Sequence, residues 1–160
     1  MTPKLTPCLW FDRNGEEAAR YYVSLFPGSR IDKVQRAPGD YPNGKEGDAL
    51  LIEFTLAGQR FTALNGGPNF RFNEAVSFMV DCEDQAEVDR LWKALSHVPE
   101  AEQCGWCKDK YGLSWQIIPR ALNRNMQEDK DPAKAKRVFE AMMDMKKLDV
   151  AKLEKAAKGR

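Results

Sequence analysis

The sequence predicts an α+β protein in which two tandem β-α-β-β-β modules precede a helical tail. Two observations carry that prediction. The segments "LWFDRNGEEAARYYVSLF" (9–26) and "FMVDCEDQAEVDRLWKAL" (78–95) share one order of apolar strand, acidic cap and amphipathic helix. Further along each half, "EFTLAGQRFTAL" (53–64) and "WCKDKYGLSWQI" (106–117) share a second order, strand, glycine turn, strand. Self-similarity of this kind marks an internal repeat. Runs of strands with one helix per repeat place helices outside curved sheets, which is the α+β arrangement.

Module one is expected over 4–67. "LTPCLWF" (5–11) is a short apolar run with an aromatic end and predicts a buried strand. Asn14 with Glu17 three residues later resembles a capping box, and Ala18, Ala19, Tyr22, Val23 and Phe26 form one helical face up to Pro27-Gly28. "SRIDKVQR" (29–36) alternates like an exposed strand, and "APGDYPNGKEGD" (37–48), with two prolines and three glycines, predicts a loop. The run 49–67 predicts two strands joined at Ala57-Gly58.

Module two is expected over 73–119. "NEAVSFMVDC" (73–82) predicts a strand, and the helix after it buries Val88, Leu91, Trp92 and Leu95 with Asp84 as cap. A final hairpin turns near Lys110-Tyr111-Gly112. The tail, 120–160, has no strand signal. Asp131-Pro132 opens a helix whose expected buried face is Ala135, Val138, Phe139, Met142 and Met143, and Asp149 caps a last helix that turns Leu153 and Ala157 inward. The three parts are read as a single domain of 160 residues.

Composition excludes several classes of function. Apolar residues make up 42% and charged residues 31%, as in an ordinary globular protein. With 25 basic and 24 acidic residues the net charge is +1, so the sequence lacks the basic excess that recognition of nucleic acid or an anionic membrane requires. No apolar run reaches eighteen residues, and the N-terminus lacks the pattern of a secretory signal. The expected location is cytoplasmic, where the four cysteines stay reduced.

The segments "LTPCLWFDRNGEEAARYYVSLFPGSRI", "GQRFTALNGGPNFRFNEAVSFMVDC" and "GWCKDKYGLSWQIIP", with the helical "RVFEAMMDMKKLDVAKLEKA", resemble the PhnB-like branch of the vicinal oxygen chelate superfamily. That superfamily includes glyoxalase I, bleomycin-resistance proteins and extradiol dioxygenases. The resemblance implies paired modules, each an incomplete barrel, and a homodimer. It also brings a label often attached to such chains, 3-demethylubiquinone methyltransferase. Superfamily chemistry rests on a divalent metal held by side chains from four strands. Aligned one at a time, those positions fall at Leu5, Thr62, Ala75 and Gln116, and a slip of one residue offers only Thr6 or Val76. One amide, one hydroxyl and two apolar side chains do not hold a divalent ion, so no metal and no cofactor is expected.

Other chemistry is sparse. Cys104 and Cys107 form a C-x-x-C, but a structural zinc would need Cys8 and Cys82 from other strands, and a redox pair prefers a helix N-terminus. Small apolar fillers are the simplest reading of these cysteines. The only histidine, His97, lies at a helix end with no partner for a dyad. A methyltransferase of the common type needs a glycine-rich strand-to-helix loop, and Gly66-Gly67 leads instead into "PNFRFNEAV". A pocket remains. Gln116 and Asn65 could orient a small molecule by their amides, while Trp10, Phe72 and Trp106 could supply flat walls, as could Phe70 and Trp115. The expected function is metal-free binding of a small molecule. Alternatives are a lyase, isomerase or oxygenase working through metal or through carboxylates such as Glu53, Asp81 and Asp109, and a purely structural or regulatory homodimer. No residue is assigned as catalytic.

Overall fold

The computed structural model describes residues 3–159. They form two compact units, one ending at Phe72 and one beginning at Asn73.

The first unit follows the expected order. Strand β1 (Cys8–Phe11) leads to helix α1 (Gly15–Leu25), then β2 (Arg30–Arg36), β3 (Ala49–Leu56) and β4 (Gln59–Asn65). The sheet runs β1-β4-β3-β2, with β1 parallel to β4 and the other pairs antiparallel. The β3–β4 hairpin turns where expected, at Ala57 and Gly58, both left-handed at φ 46° and 87°. A two-residue turn of that form matches the twist of the strands it joins. Alternation then puts Ile52, Phe54 and Leu56 inward, and Phe54 stacks on Phe61 across the ladder at 5.5 Å between ring centroids. Helix α1 closes this core with Ala18, Ala19 and Tyr22, all fully buried. Each large apolar side chain buried this way contributes about 1.5–3 kcal/mol.

Two expectations for this unit need correction. Asn14 makes no side-chain cap for α1. The amide of Gly15 instead donates to Oδ1 of Asn65, fifty positions away on β4, so a tertiary contact supplies what the local motif promised. Strand β1 starts at Cys8 rather than Leu5, because Leu5 is 84% exposed and has no strand partner to hold it.

The second unit starts with β5 (Ser77–Cys82), helix α2 (Gln85–Leu95) and a short 3-10 turn (Pro99–Ala101), followed by β6 (Trp106–Lys108) and β7 (Ser114–Pro119). Its sheet runs β5-β7-β6, β5 parallel and β6 antiparallel to β7. Asp84 caps α2 as expected, accepting from Glu87 N, and Val88, Leu91 and Leu95 are buried while Trp92 is only half-buried. The unit has three strands where the repeat has four. In the place after α2 stands the turn at Pro99, whose missing N–H suits a turn better than a ladder. Residues 73–76 also fall outside β5, since Asn73 Oδ1 accepts from Ala75 N and folds the segment back on itself.

The tail belongs to this second unit. Helix α3 (Arg120–Asn123) runs into a wide turn (Arg124–Glu128), then α4 (Pro132–Met143) and α5 (Val150–Ala157). Asp131 and Asp149 cap α4 and α5 through Ala133 N and Lys152 N. Ile118, Leu122, Val138, Leu148, Leu153 and Ala157 make one apolar cluster that binds the tail to β7. Of the face expected for α4 only Val138 is fully buried. Phe139 and Met143 are 46% and 45% exposed, because the cluster is completed from the α4–α5 loop by Leu148 instead.

Candidate functional site

Strand register sets up a cleft in the second unit. Met79 of β5, Gln116 of β7 and Trp106 of β6 lie directly opposite one another across the sheet, so their side chains share one face. Residues of the tail stand over that face: Leu122, Asn123, Met126 and Gln127 from α3 and its turn, Met142 and Met143 from α4. The cleft encloses about 390 Å³. Its lining is apolar and soft, with amides as the polar groups.

Gln116 is the polar centre of this face. Its Nε2 donates to Ser77 Oγ at 2.9 Å, which fixes the amide and leaves Oε1 as an acceptor with no partner among the described residues. One step along the ladder, Ser77, Ser114 and Lys108 stand opposite one another on the same face. Ser114 Oγ is buried and has no hydrogen-bond partner among the described residues. Leaving a buried hydroxyl unpaired costs about 1–3 kcal/mol. Lys108 pairs with Glu74, and its ammonium holds the Glu74 carboxyl below the usual carboxylate range.

The turns around this sheet explain the cysteines. Cys104 and Gly105 occupy the two left-handed places, φ 49° and 86°, of a tight turn closed by hydrogen bonds between Gln103 and Trp106. Their amides donate to Met145 O and Lys146 O, both at 2.8 Å, tying the tail to the sheet. The C-x-x-C spacing therefore spans a turn and the strand it opens. Cys107 is buried on β6, opposite Trp115, and burial pushes its thiol up to about 12; Cys82 is pushed up to about 12 for the same reason. Cys8 is exposed, and Cys104 half-buried. At the far end of the hairpin, buried Asp109 accepts from Tyr111 N, Leu113 N and Trp115 Nε1 at 2.8–3.0 Å. That carboxylate builds the turn.

The first unit has a more polar cleft of about 360 Å³, lined by Arg13, Glu16, Arg36, Tyr41, Asp48 and Asn65 among others. Here Asn65, Glu16 and Asp48 are already engaged. Asn65 is buried with both amide ends in use, Oδ1 on Gly15 N at 2.8 Å and Nδ2 on Ala49 O at 2.9 Å. Glu16 faces both Arg20 and Arg36, and Asp48 accepts from Lys45 N.

The five residues singled out from sequence are thus divided. Gln116 and Trp106 share the second unit's cleft, and Asn65 borders the first unit's. Trp10 and Phe72 line neither. Trp10 Nε1 donates to Gly67 O at 2.8 Å and its ring meets Phe70 edge-on, while Phe72 meets Phe11 edge-on at 5.2 Å. Trp115 is core, only 3% exposed. Sequence reasoning missed Met79, Met126 and Gln103. It also assigned Met142 and Met143 to the core, for methionines at helical spacing give no signal that separates core from cleft.

Of the four positions that the resemblance aligns with metal ligands, two are apolar and lie outside any strand. Leu5 and Ala75 are exposed and outside any strand, Thr62 is on β4, and Gln116 is on β7. Among the described residues no group of three His, Cys, Asp or Glu could hold a metal ion. A nucleotide-type methyl donor fares no better. Gly66-Gly67 leads from β4 into a non-helical segment, and both sheets are mixed. These residues do not fit either group. No helix among the described residues is long and apolar enough to cross a membrane.

Comparison with known proteins bears on the same residues. A family model described as 3-demethylubiquinone-9 3-methyltransferase matches residues 3–118. Among solved structures, a PhnB protein from Bacillus cereus carrying the same description is 36% identical. That alignment covers 73% of this chain and 99% of that one, at a TM-score of 0.62. A protein from Pseudomonas aeruginosa is 19% identical, covers 74% and 98% of the two chains, and has a TM-score of 0.56, a likeness of fold alone. No curated protein matches. The family match stops at the end of β7, so most of the tail that roofs the cleft lies beyond it.

Proposed function

We propose, for a chain that belongs to the PhnB-like family described as 3-demethylubiquinone-9 3-methyltransferases, that its second unit binds a small organic molecule without a metal and without a methyl donor. The observation that carries this reading is Gln116. Its amide is fixed by Ser77 with one acceptor left open, beside the flat face of Trp106 and under flexible thioether walls. A cleft of about 390 Å³ falls within the range of about 300–1,000 Å³ usual for small-molecule sites. The chemistry selects a mostly apolar ligand carrying one hydrogen-bond donor for Gln116 Oε1. Methionine walls adapt to ligand shape at low cost, so the site suits a class of related molecules better than one rigid compound.

Nothing in this cleft supplies an acid–base pair, since its lining contains no carboxylate and no histidine. Binding is therefore the function that its chemistry supports. A homodimer in the cytoplasm is part of the same proposal, checked by light scattering on the purified protein and by cell fractionation.

The test is a thermal-shift screen of small aromatic alcohols, amides and phenols on the wild type, Gln116→Leu and Trp106→Ala. The reading expects hits whose stabilisation disappears in Gln116→Leu and falls in Trp106→Ala. Hits that are indifferent to both changes would remove its basis.

A further inference from the structure

We propose that Cys104 and Met143 form a binding site for a soft monovalent cation of the copper(I) or silver(I) kind, at the rim of the second unit's cleft. Cys104 Sγ and Met143 Sδ lie 3.7 Å apart. Two metal–sulfur bonds of about 2.3 Å would span that separation at an angle of about 107°, close to tetrahedral. The pair is held in place by the surrounding backbone. Cys104 N donates to Met145 O and Gly105 N to Lys146 O, both at 2.8 Å, and Gln103 Nε2 donates to Met143 O at 3.2 Å. Those bonds hold the C-terminal end of α4, which carries Met143, close to the turn that carries Cys104.

The rest of the lining matches the same ion. Met79, Met126 and Met142 join Met143 there, so four of the chain's six methionines face one cleft. Thiolate and thioether donors select copper(I) over hard divalent ions, which prefer oxygen. Zinc is held by cysteine, histidine and carboxylate side chains, usually four of them, and this lining has one cysteine, no histidine and no carboxylate. A single thiolate in an otherwise uncharged lining balances a single positive charge. Cys104 and Met143 are both accessible to an entering ion, Met143 being 45% exposed and Cys104 half-buried. This site uses the sulfur atoms at the rim rather than Gln116, and does not rest on the organic-ligand reading.

The experiment is an anaerobic titration of the reduced full-length protein with copper(I) against a chromophoric chelator, with X-ray absorption on the loaded sample. Wild type is expected to take up one tightly held equivalent with at least two sulfur neighbours. Cys104→Ser is expected to weaken binding at least 100-fold, and Met143→Leu, which keeps the apolar volume, about 10-fold. Cys8→Ser and Gln116→Leu should leave it unchanged. Equal affinity in wild type and Met143→Leu, or a loss that follows Cys8 instead of Cys104, would overturn the site by showing that any accessible thiol suffices. The Gln116→Leu arm separates this outcome from failure of the small-molecule reading, which that variant abolishes.

Discussion

The two units begin from one plan and use their polar groups differently. In the first, the last residue of β4, Asn65, uses both amide ends to fasten α1 and β3. In the second, Asp84 caps its own helix locally, and the sheet is left with Gln116 Oε1 and Ser114 Oγ unpaired among the described residues. The first unit has a fourth strand, β2, where the second has a turn at Pro99, and the second gains a tail over its sheet instead. Unspent hydrogen-bonding capacity facing a cleft is what distinguishes a binding surface from scaffold. That open capacity at Gln116 is why the proposed binding site is placed in the second unit.

The comparison breaks first at a buried carboxylate. Asp109→Ala removes the acceptor for two backbone amides and the Trp115 indole in a closed interior, and should cost about 3–5 kcal/mol in chemical denaturation. A loss below about 1 kcal/mol would mean that the turn holds without its carboxylate. Next, Asn65→Ala should cost about 2–3 kcal/mol, since two buried backbone groups lose their partner. Asn14→Ala, by contrast, should change stability by no more than about 0.5 kcal/mol. The reverse order would restore the local capping box. Asp84→Ala should fall between them at about 1 kcal/mol, the ordinary value for a helix cap.

Smaller effects sharpen the contrast. Ser114→Ala should be neutral or mildly stabilising, because the hydroxyl it removes has no partner. A clear destabilisation would show that the hydroxyl is satisfied after all. The cysteines give a pH prediction. Burial raises the folded-state value for Cys82 and Cys107 from 9.0 to about 12, so between those values the folded chain keeps protons that the unfolded chain has released. Stability should therefore decline as pH rises from about 9 towards 12, and the decline should shrink in Cys107→Ala. At pH 8 a thiol reagent should label Cys8 and Cys104 in the native protein and reach Cys82 and Cys107 only on unfolding.

Much of the fold was legible because its signals are local. The hairpin at Ala57-Gly58, the caps at Asp84, Asp131 and Asp149, and the face of α2 each depend on neighbours within a few positions. What sequence left obscure depends on distant partners. Asn14 reads as a cap because nothing nearby shows that Asn65 will do that work. Phe139 and Met143 read as buried because Leu148, in the following loop, has no helical pattern to announce it. The site shows the same division. Gln116 and Trp106 could be found from strand parity around the Gly112 turn, whereas Met79 joins them only through the parallel pairing of β5 with β7. Cys104 looked like filler, and the turn that carries it, with Met143 beside it, is set by a loop some forty residues away.

The most direct measurement of the central claim is a nitrogen–proton correlation spectrum of labelled protein, recorded with and without the best hit from the small-molecule screen. The account predicts that the Gln116 side-chain amide and the Trp106 indole shift together with the backbone amides at 103–106, while those around Asn65 and Arg13 stay still. Shifts confined to the first unit, or a Gln116 amide that does not move at saturating ligand, would contradict it.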